Sequence, residues 1–228
     1  MRPSQLLPLL FLSVSLVACC ERHKEAVVVA PTGDEMFLEH DKSFLADYAP
    51  LYRNGDVNVV VVEIPVGTVA KWEVTKPEGE LRWEIKDGKP RKVQYLGYPA
   101  NYGMIPCTLL PKELGGDGDP LDVVVLGDAL PRGTVVRARI VGVMRMLDGG
   151  EQDDKLIAVR PETAFADVHS MPELREHFTG IEEILKAWFS GYKGPGKIQV
   201  TGFSDSEEAR RSSAPPSTPT HPSTSTRD

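Results

Sequence analysis

Cysteine is scarce: the 228 residues contain three, two of them adjacent at Cys19 and Cys20. No internal disulfide framework can therefore staple the fold. Cys107 has no histidine near it in sequence, and reads as a small buried hydrophobe rather than a nucleophile. Positive charge is also short. Lys and Arg number 26 against 33 Asp and Glu, a formal charge of −7, which gives no electrostatic case for nucleic acid. The phosphate loops GxxxxGK[ST] and GxGxxG are absent, as are Gly-x-Ser-x-Gly and His-Glu-x-x-His, so serine-hydrolase and zincin chemistry find no support. No internal repeat is present. What remains is 41% hydrophobic, 26% charged and 7% aromatic, the composition of an ordinary globular chain with one core, not of a disordered, collagenous or multi-span membrane chain.

The two ends read differently from the middle. Residues 1–18 carry one Arg and an apolar run from Leu6 to Ala18, a secretory signal peptide too short to span a bilayer. Leu16-Val17-Ala18-Cys19 resembles a bacterial lipobox, in which Cys19 becomes the lipid-modified first residue; the alternative is a plain cleaved signal. Acyl chains on Cys19 would tether the protein to a membrane without spanning it, and would make it an exported, periplasmic or cell-envelope lipoprotein. Residues 19–36 then form the lipidated Cys and a linker, 37–209 the folded domain, and 210–228 a disordered Ser/Thr/Pro tail.

Within the domain, Asn58 to Ile64 is a β-branched run stopped by Pro65, and Trp72 to Val74 and Leu81 to Ile85 alternate with period two. Further strands are expected at Asp122–Leu126, Thr134–Val143, Lys155–Val159 and Lys197–Thr201. One long helical pattern stands out. Leu174, Phe178, Ile181, Leu185 and Trp188 recur at spacings of four and three after the candidate cap Ser170 and Pro172, with Gly180 as a break. Many short strands with one helix argue for a mainly β (α+β) fold, a small β-barrel decorated by helix rather than a βαβ sheet.

The chemistry concentrates in the acids. Between Asp117 and Asp154 stand eight carboxylates against four arginines, a local charge of −4. Asp117-Gly118-Asp119-Pro120-Leu121-Asp122 places carboxylates at spacings of two and three on a segment freed by Gly118 and stiffened by Pro120, the oxygen donors that hard divalent cations take. An Asp-Gly turn with solvated acids is the plainer reading. A calcium loop fails, because Leu121 and Asp122 stand where Asp or Asn and then Gly are required. A second acidic cluster runs from Asp148 to Asp154 between two strands, and reads alone as a solvated hairpin turn. A third group is Glu63 at one strand's end, then Lys71 and Glu73 on one face of the next, where an exposed pair would serve equally well. Lys71, Arg91, Lys155 and Lys193 supply separated cations suited to a highly charged, phosphate-bearing substrate.

These residues resemble the soluble (family I) inorganic pyrophosphatases. Asp117-Gly118-Asp119-Pro120-Leu121-Asp122 is similar to the family signature, and Val62-Glu63-Ile64-Pro65, Lys71-Trp72-Glu73, Tyr98 to Gly103, Asp148 to Lys155 and Tyr192-Lys193 follow in the family's order. The resemblance covers Asn58 to Phe203. It implies a five-stranded, OB-like closed β-barrel with peripheral helices, and hydrolysis of pyrophosphate to two phosphates with several Mg²⁺ ions. It further implies Asp117, Asp122, Asp148 and Asp153 as metal ligands, Glu63 contacting metal through water, and Asp119 as the base for the attacking water. Lys71, Arg91, Tyr102, Lys155, Tyr192 and Lys193 would bind phosphate, with Lys92 or Arg82 as alternatives to Arg91. Glu73 and Tyr98 would support them. A homo-oligomer is expected, with the lipid anchor as the one membrane contact. Another phosphoanhydride substrate, such as short polyphosphate or a nucleotide, and an inactive metal- or phosphate-binding lipoprotein are the competing functions.

Overall fold

A computed structural model of the chain describes residues 37–38, 40–52, 57–108 and 118–205. The leader, Cys19, the linker, Asp117 and the tail lie outside the described residues. Thirteen strands and two helices follow in chain order among those described. They are β1 (Phe37–Leu38), β2 (Leu51–Tyr52), β3 (Val57–Ile64), β4 (Trp72–Val74), β5 (Leu81–Trp83), β6 (Ile85–Lys86), β7 (Lys89–Pro90), β8 (Asn101–Met104) and β9 (Asp122–Leu126). The remainder are β10 (Val135–Asp148), β11 (Glu151–Gln152), β12 (Lys155–Val159), α1 (Met171–His177), α2 (Ile181–Gly191) and β13 (Ile198–Asp205). The fold is mainly β, with both helices late in the chain.

The largest sheet runs β11-β10-β12-β9-β8-β3-β2, with β13 on β10 and a further pairing of β10 with β3. β9 and β12 pair in parallel, Val123 against Leu156; the other pairings are antiparallel. The period-two rule divides the valine-rich strands between two cores. Val60, Val62, Val123, Val125, Val136, Ala138, Ile140, Leu156 and Ala158 face one cluster. Val124, Leu126, Ile157 and Val159 face another, which Met171, Leu174, Leu185, Trp188 and Phe189 cover. Strands buried on both faces need unbroken apolar runs, which is why Asp122–Leu126 and Lys155–Val159 hardly alternate. A smaller sheet, β1-β5-β4, packs Trp72, Val74 and Leu81 around Phe44 and Tyr48.

The helical pattern folds as two pieces. Ser170 caps α1 by accepting from Glu173 N at 3.3 Å, while Glu173 accepts in turn from His169 N at 2.6 Å. α1 closes at Phe178, whose N–H donates to Leu174 O, and Gly180, at φ +91, opens α2. Gly142 in β10 lets α1 dock, since a Cβ there would lie 2.2 Å from Met171 Cγ.

Two expectations need correction, and one strand stands where none was expected. β10 extends to Asp148 and β13 to Asp205, beyond Val143 and Thr201, because each pairs with the other along that length. β8, which carries Asn101 and Gly103, is a strand that residue propensity does not announce. Cys107 is exposed, not buried. It takes φ +56 in the turn after β8, where its N–H donates to Leu45 O at 2.9 Å and its thiol to Ala46 O and Tyr48 O at 3.3 Å.

Gly103 lies against the β3 backbone, where a Cβ would sit 1.8 Å from Val61 O. Gly103→Ala is expected to destabilise the protein by about 3 kcal/mol through overpacking of a backbone that cannot yield, read as a fall in the urea midpoint.

Candidate active site

The parallel register that sets Leu156 beside Val123 also sets Lys155 beside Asp122. Lys155 is 4% exposed, and its ammonium donates to Asp122 Oδ2 at 2.5 Å and to Asp153 Oδ1. Burial works against its charge, but Asp122 and Asp153 outweigh burial and hold its pKa above the ordinary lysine value. Asp153 arrives from the β10–β11 hairpin. That hairpin turns on Gly149 and Gly150, both at positive φ, as a tight two-residue connection with right-handed twist requires. Asp154 braces it from beneath, accepting from Met146 N at 3.1 Å and pairing with Arg145. Asp154 is thus a scaffold group, and Asp153 is the one turned towards Lys155.

Two more lysines close on acids. Lys193, just past α2, pairs with Asp148 at the end of β10. Lys76, which the sequence did not single out, pairs with Asp119 and donates to Gly118 O at 2.8 Å, tying the acidic signature to the β4–β5 hairpin. Asp119 keeps 58% of its side chain exposed, so it remains reachable by water.

Tyrosines line the space between these groups. Tyr192 stacks on Trp188 with centroids 4.7 Å apart and planes 11° apart, Tyr98 lies 4.5 Å from Trp188, and Tyr102 lies 5.5 Å from Tyr98. Trp188 is fixed by its Nε1–H donating to Leu96 O at 3.0 Å. Burial, above all, pushes all three phenols up, so each stays a neutral O–H at neutral pH. Lys71 Nζ lies 5.6 Å over the Tyr102 ring, not in a pair with Glu73. Glu73 is exposed and sits opposite Arg82 across the β4–β5 ladder.

Arg91 is half-buried, and its Nη1 donates to both oxygens of Glu84 at 2.8 and 2.7 Å. Of the two alternatives, Arg82 is exposed and bonded to Glu80, while Lys92 lies over Trp83. Arg91 is therefore the cation of the three with a described electrostatic interaction with Tyr192 and Tyr98. Asn101 is fully buried, with its Oδ1 accepting from Val66 N and Leu130 N and its Nδ2 donating to Val125 O and Asp128 O. It locks the loop ends around Tyr102. Arg132, stacked 4.3 Å over Trp72, donates to Glu63 O at 3.0 Å.

Glu63 is buried at 5% exposure, and the one described hydrogen bond to its carboxylate is from Val74 N at 2.7 Å. Burial pushes its carboxyl up to about 7, with Lys71 pulling down and Asp122 pushing up. The donor set fits a hard divalent cation. Asp122 and Asp153 already direct oxygens at one positive centre, the Lys155 ammonium, and the neighbouring groups are carboxylates rather than thiols or imidazoles. Among the described residues no three acids are grouped into a cage by themselves.

The model of the inorganic pyrophosphatase family matches residues 60–213. The inorganic pyrophosphatase of Zygosaccharomyces bailii is 33% identical over 196 residues, 77% of this chain and 68% of the relative. That of Gluconobacter oxydans is 38% identical over 161 residues, 68% of this chain and 85% of the relative. The solved inorganic pyrophosphatase of Schistosoma japonicum superposes with a TM-score of 0.69 at 27% identity, covering 77% of this chain and 71% of that one.

The raised Glu63 pKa has a definite sign. The folded state holds a proton that the unfolded state releases above 4.5, so this contribution is complete below 4.5 and is lost as pH rises through about 7. In metal-free protein, Glu63→Gln is expected to flatten the decline in stability across that window, on the order of 3 kcal/mol, read from urea titrations at stepped pH.

Proposed function

Because the chain belongs to the inorganic pyrophosphatase family, we propose that this carboxylate-and-lysine site hydrolyses inorganic pyrophosphate to two phosphates. The observation that carries the reading is Lys155, a buried cation flanked by Asp122 and Asp153, with Tyr192 and Tyr102 in electrostatic reach of that cluster. Such alternation of fixed positive and negative groups suits a substrate that is itself polyanionic and arrives with cations.

The roles follow from chemistry and place. Lys71, Arg91, Lys155 and Lys193 neutralise phosphate oxygens, and Tyr102 and Tyr192 donate O–H groups to them. Asp119, exposed and held by Lys76, accepts the proton of the attacking water. Asp117, Asp122, Asp148 and Asp153 would hold divalent cations, with Glu63 reached through water. When bound, Mg²⁺ supplies charge neutralisation on the phosphates and acidifies water towards neutrality. Tyr98 supports Tyr102, 5.5 Å away, and Glu73 would support the site from β4, opposite Arg82. The circuit β3-β8-β9-β12-β10, with β10 pairing β3, supports a five-stranded OB-like barrel. The Leu16-Val17-Ala18-Cys19 sequence supports lipidation at Cys19 and an exported, membrane-tethered enzyme, and the family resemblance supports assembly into a homo-oligomer.

Phosphate release from pyrophosphate with Mg²⁺ is expected to be rapid and to stop on chelation. Asp119→Asn should lower kcat by about 100-fold or more with the fold retained. Wild-type rates on tripolyphosphate or ATP that match those on pyrophosphate would reassign the substrate.

A further inference from the structure

We propose that Glu84 is a positioning residue, holding one nitrogen of Arg91 so that the rest of the guanidinium points at a substrate phosphate. The proposal deepens the pyrophosphate reading of the site and rests on it.

Glu84 sits where three segments meet. Its backbone N–H donates to Lys71 O at 2.9 Å, Lys71 N–H donates to Arg91 O at 3.0 Å, and Arg91 N–H donates to Glu84 O at 2.8 Å. Trp83 Nε1 adds a fourth bond, to Arg91 O at 2.8 Å. This closed set of main-chain bonds fixes Lys71 and Arg91, the two phosphate cations on this side of the site, relative to each other and to Glu84. The side chain then completes the frame. Both Glu84 oxygens accept from Arg91 Nη1, at 2.8 and 2.7 Å.

A guanidinium has five N–H donors, and Nη1 carries two of them. Nε and Nη2 have no acceptor among the described residues. The guanidinium lies within electrostatic reach of Tyr192 and Tyr98, the phenols of the site, which leaves these three donors beside the groups that would surround a phosphate. Both partners are largely shielded, at 24% and 21% side-chain exposure, which sets the pair apart from solvent-screened surface pairs. A long arginine side chain loses rotamer freedom when it binds an anion. Glu84 removes that loss in advance, which favours binding without touching the reacting atoms.

The opposite role would be competition, with Glu84 withholding Arg91 from phosphate. The two roles differ in sign. Steady-state kinetics on pyrophosphate, with inorganic phosphate binding by calorimetry alongside, would compare wild type, Glu84→Ala, Glu84→Gln, Arg91→Ala and the double variant Glu84→Ala with Arg91→Ala. Positioning predicts that Glu84→Ala raises KM and weakens phosphate binding about tenfold while kcat moves by less than about threefold. Glu84→Gln, which can still accept a hydrogen bond, falls between Glu84→Ala and wild type, and stands in if Glu84→Ala does not fold. In the Arg91→Ala background the Glu84 effect disappears, because Glu84 acts only through Arg91.

An unchanged or lowered KM in Glu84→Ala would overturn the proposal. So would a full-sized effect that persists without Arg91, the mark of a merely structural residue. A wild-type protein that binds phosphate but turns over no pyrophosphate would overturn the function while leaving the phosphate affinities to decide the role of Glu84. A wild type that does neither would overturn both.

Discussion

The ammonium of Lys155, a residue only 4% exposed, is the constraint on which the site's construction depends. An isolated charge at that depth costs several kcal/mol, and the cost is offset only when Asp122 and Asp153 both reach it. Asp122 reaches it because β9 runs parallel to β12 in one register. Asp153 reaches it because the β10 hairpin turns on two glycines and is pinned by Asp154. The charge pairing and the topology thus select each other: a slip of one residue in β12 would turn Lys155 to the opposite face and leave two acids uncompensated.

Around that centre, lysines stand on carboxylates at three places, with Lys76 on Asp119, Lys155 on Asp122 and Asp153, and Lys193 on Asp148. The pairs are graded in depth. Lys155 is buried, whereas Lys76 and Lys193 retain 39% and 30% exposure and are correspondingly screened and easier to part. Such pairs keep the acids from repelling one another. The phenols of Tyr98, Tyr102 and Tyr192 need no such compensation, since burial keeps them neutral.

Much of this was legible in the sequence. The apolar runs of β3, β9 and β12 declare buried strands, the spacing of Leu174, Leu185 and Trp188 declares the covering helices, and Gly180 marks their break. The acidic signature and the separated cations indicate polyanion chemistry before any geometry is known. What was hidden depends on contacts between residues far apart in sequence. Nothing local to Lys76 points to Asp119, 43 residues away, and the bond that Arg91 donates to Glu84 needs the β6–β7 hairpin between them to form first. β8 was hidden because Asn101 and Gly103 are poor strand formers, kept there by a fully bonded amide and a close backbone approach to Val61. Cys107 was misread because burial was inferred from residue type, while its place in a left-handed turn decided otherwise.

The most direct measurement is ³¹P NMR of pyrophosphate mixed with the purified chain and Mg²⁺, with Lys155→Met alongside. Replacement of the pyrophosphate resonance by that of inorganic phosphate for wild type, and its persistence with folded Lys155→Met, is the expected result. A pyrophosphate resonance that persists over folded wild-type protein, or conversion by Lys155→Met at the wild-type rate, would contradict a hydrolytic site built around this buried lysine.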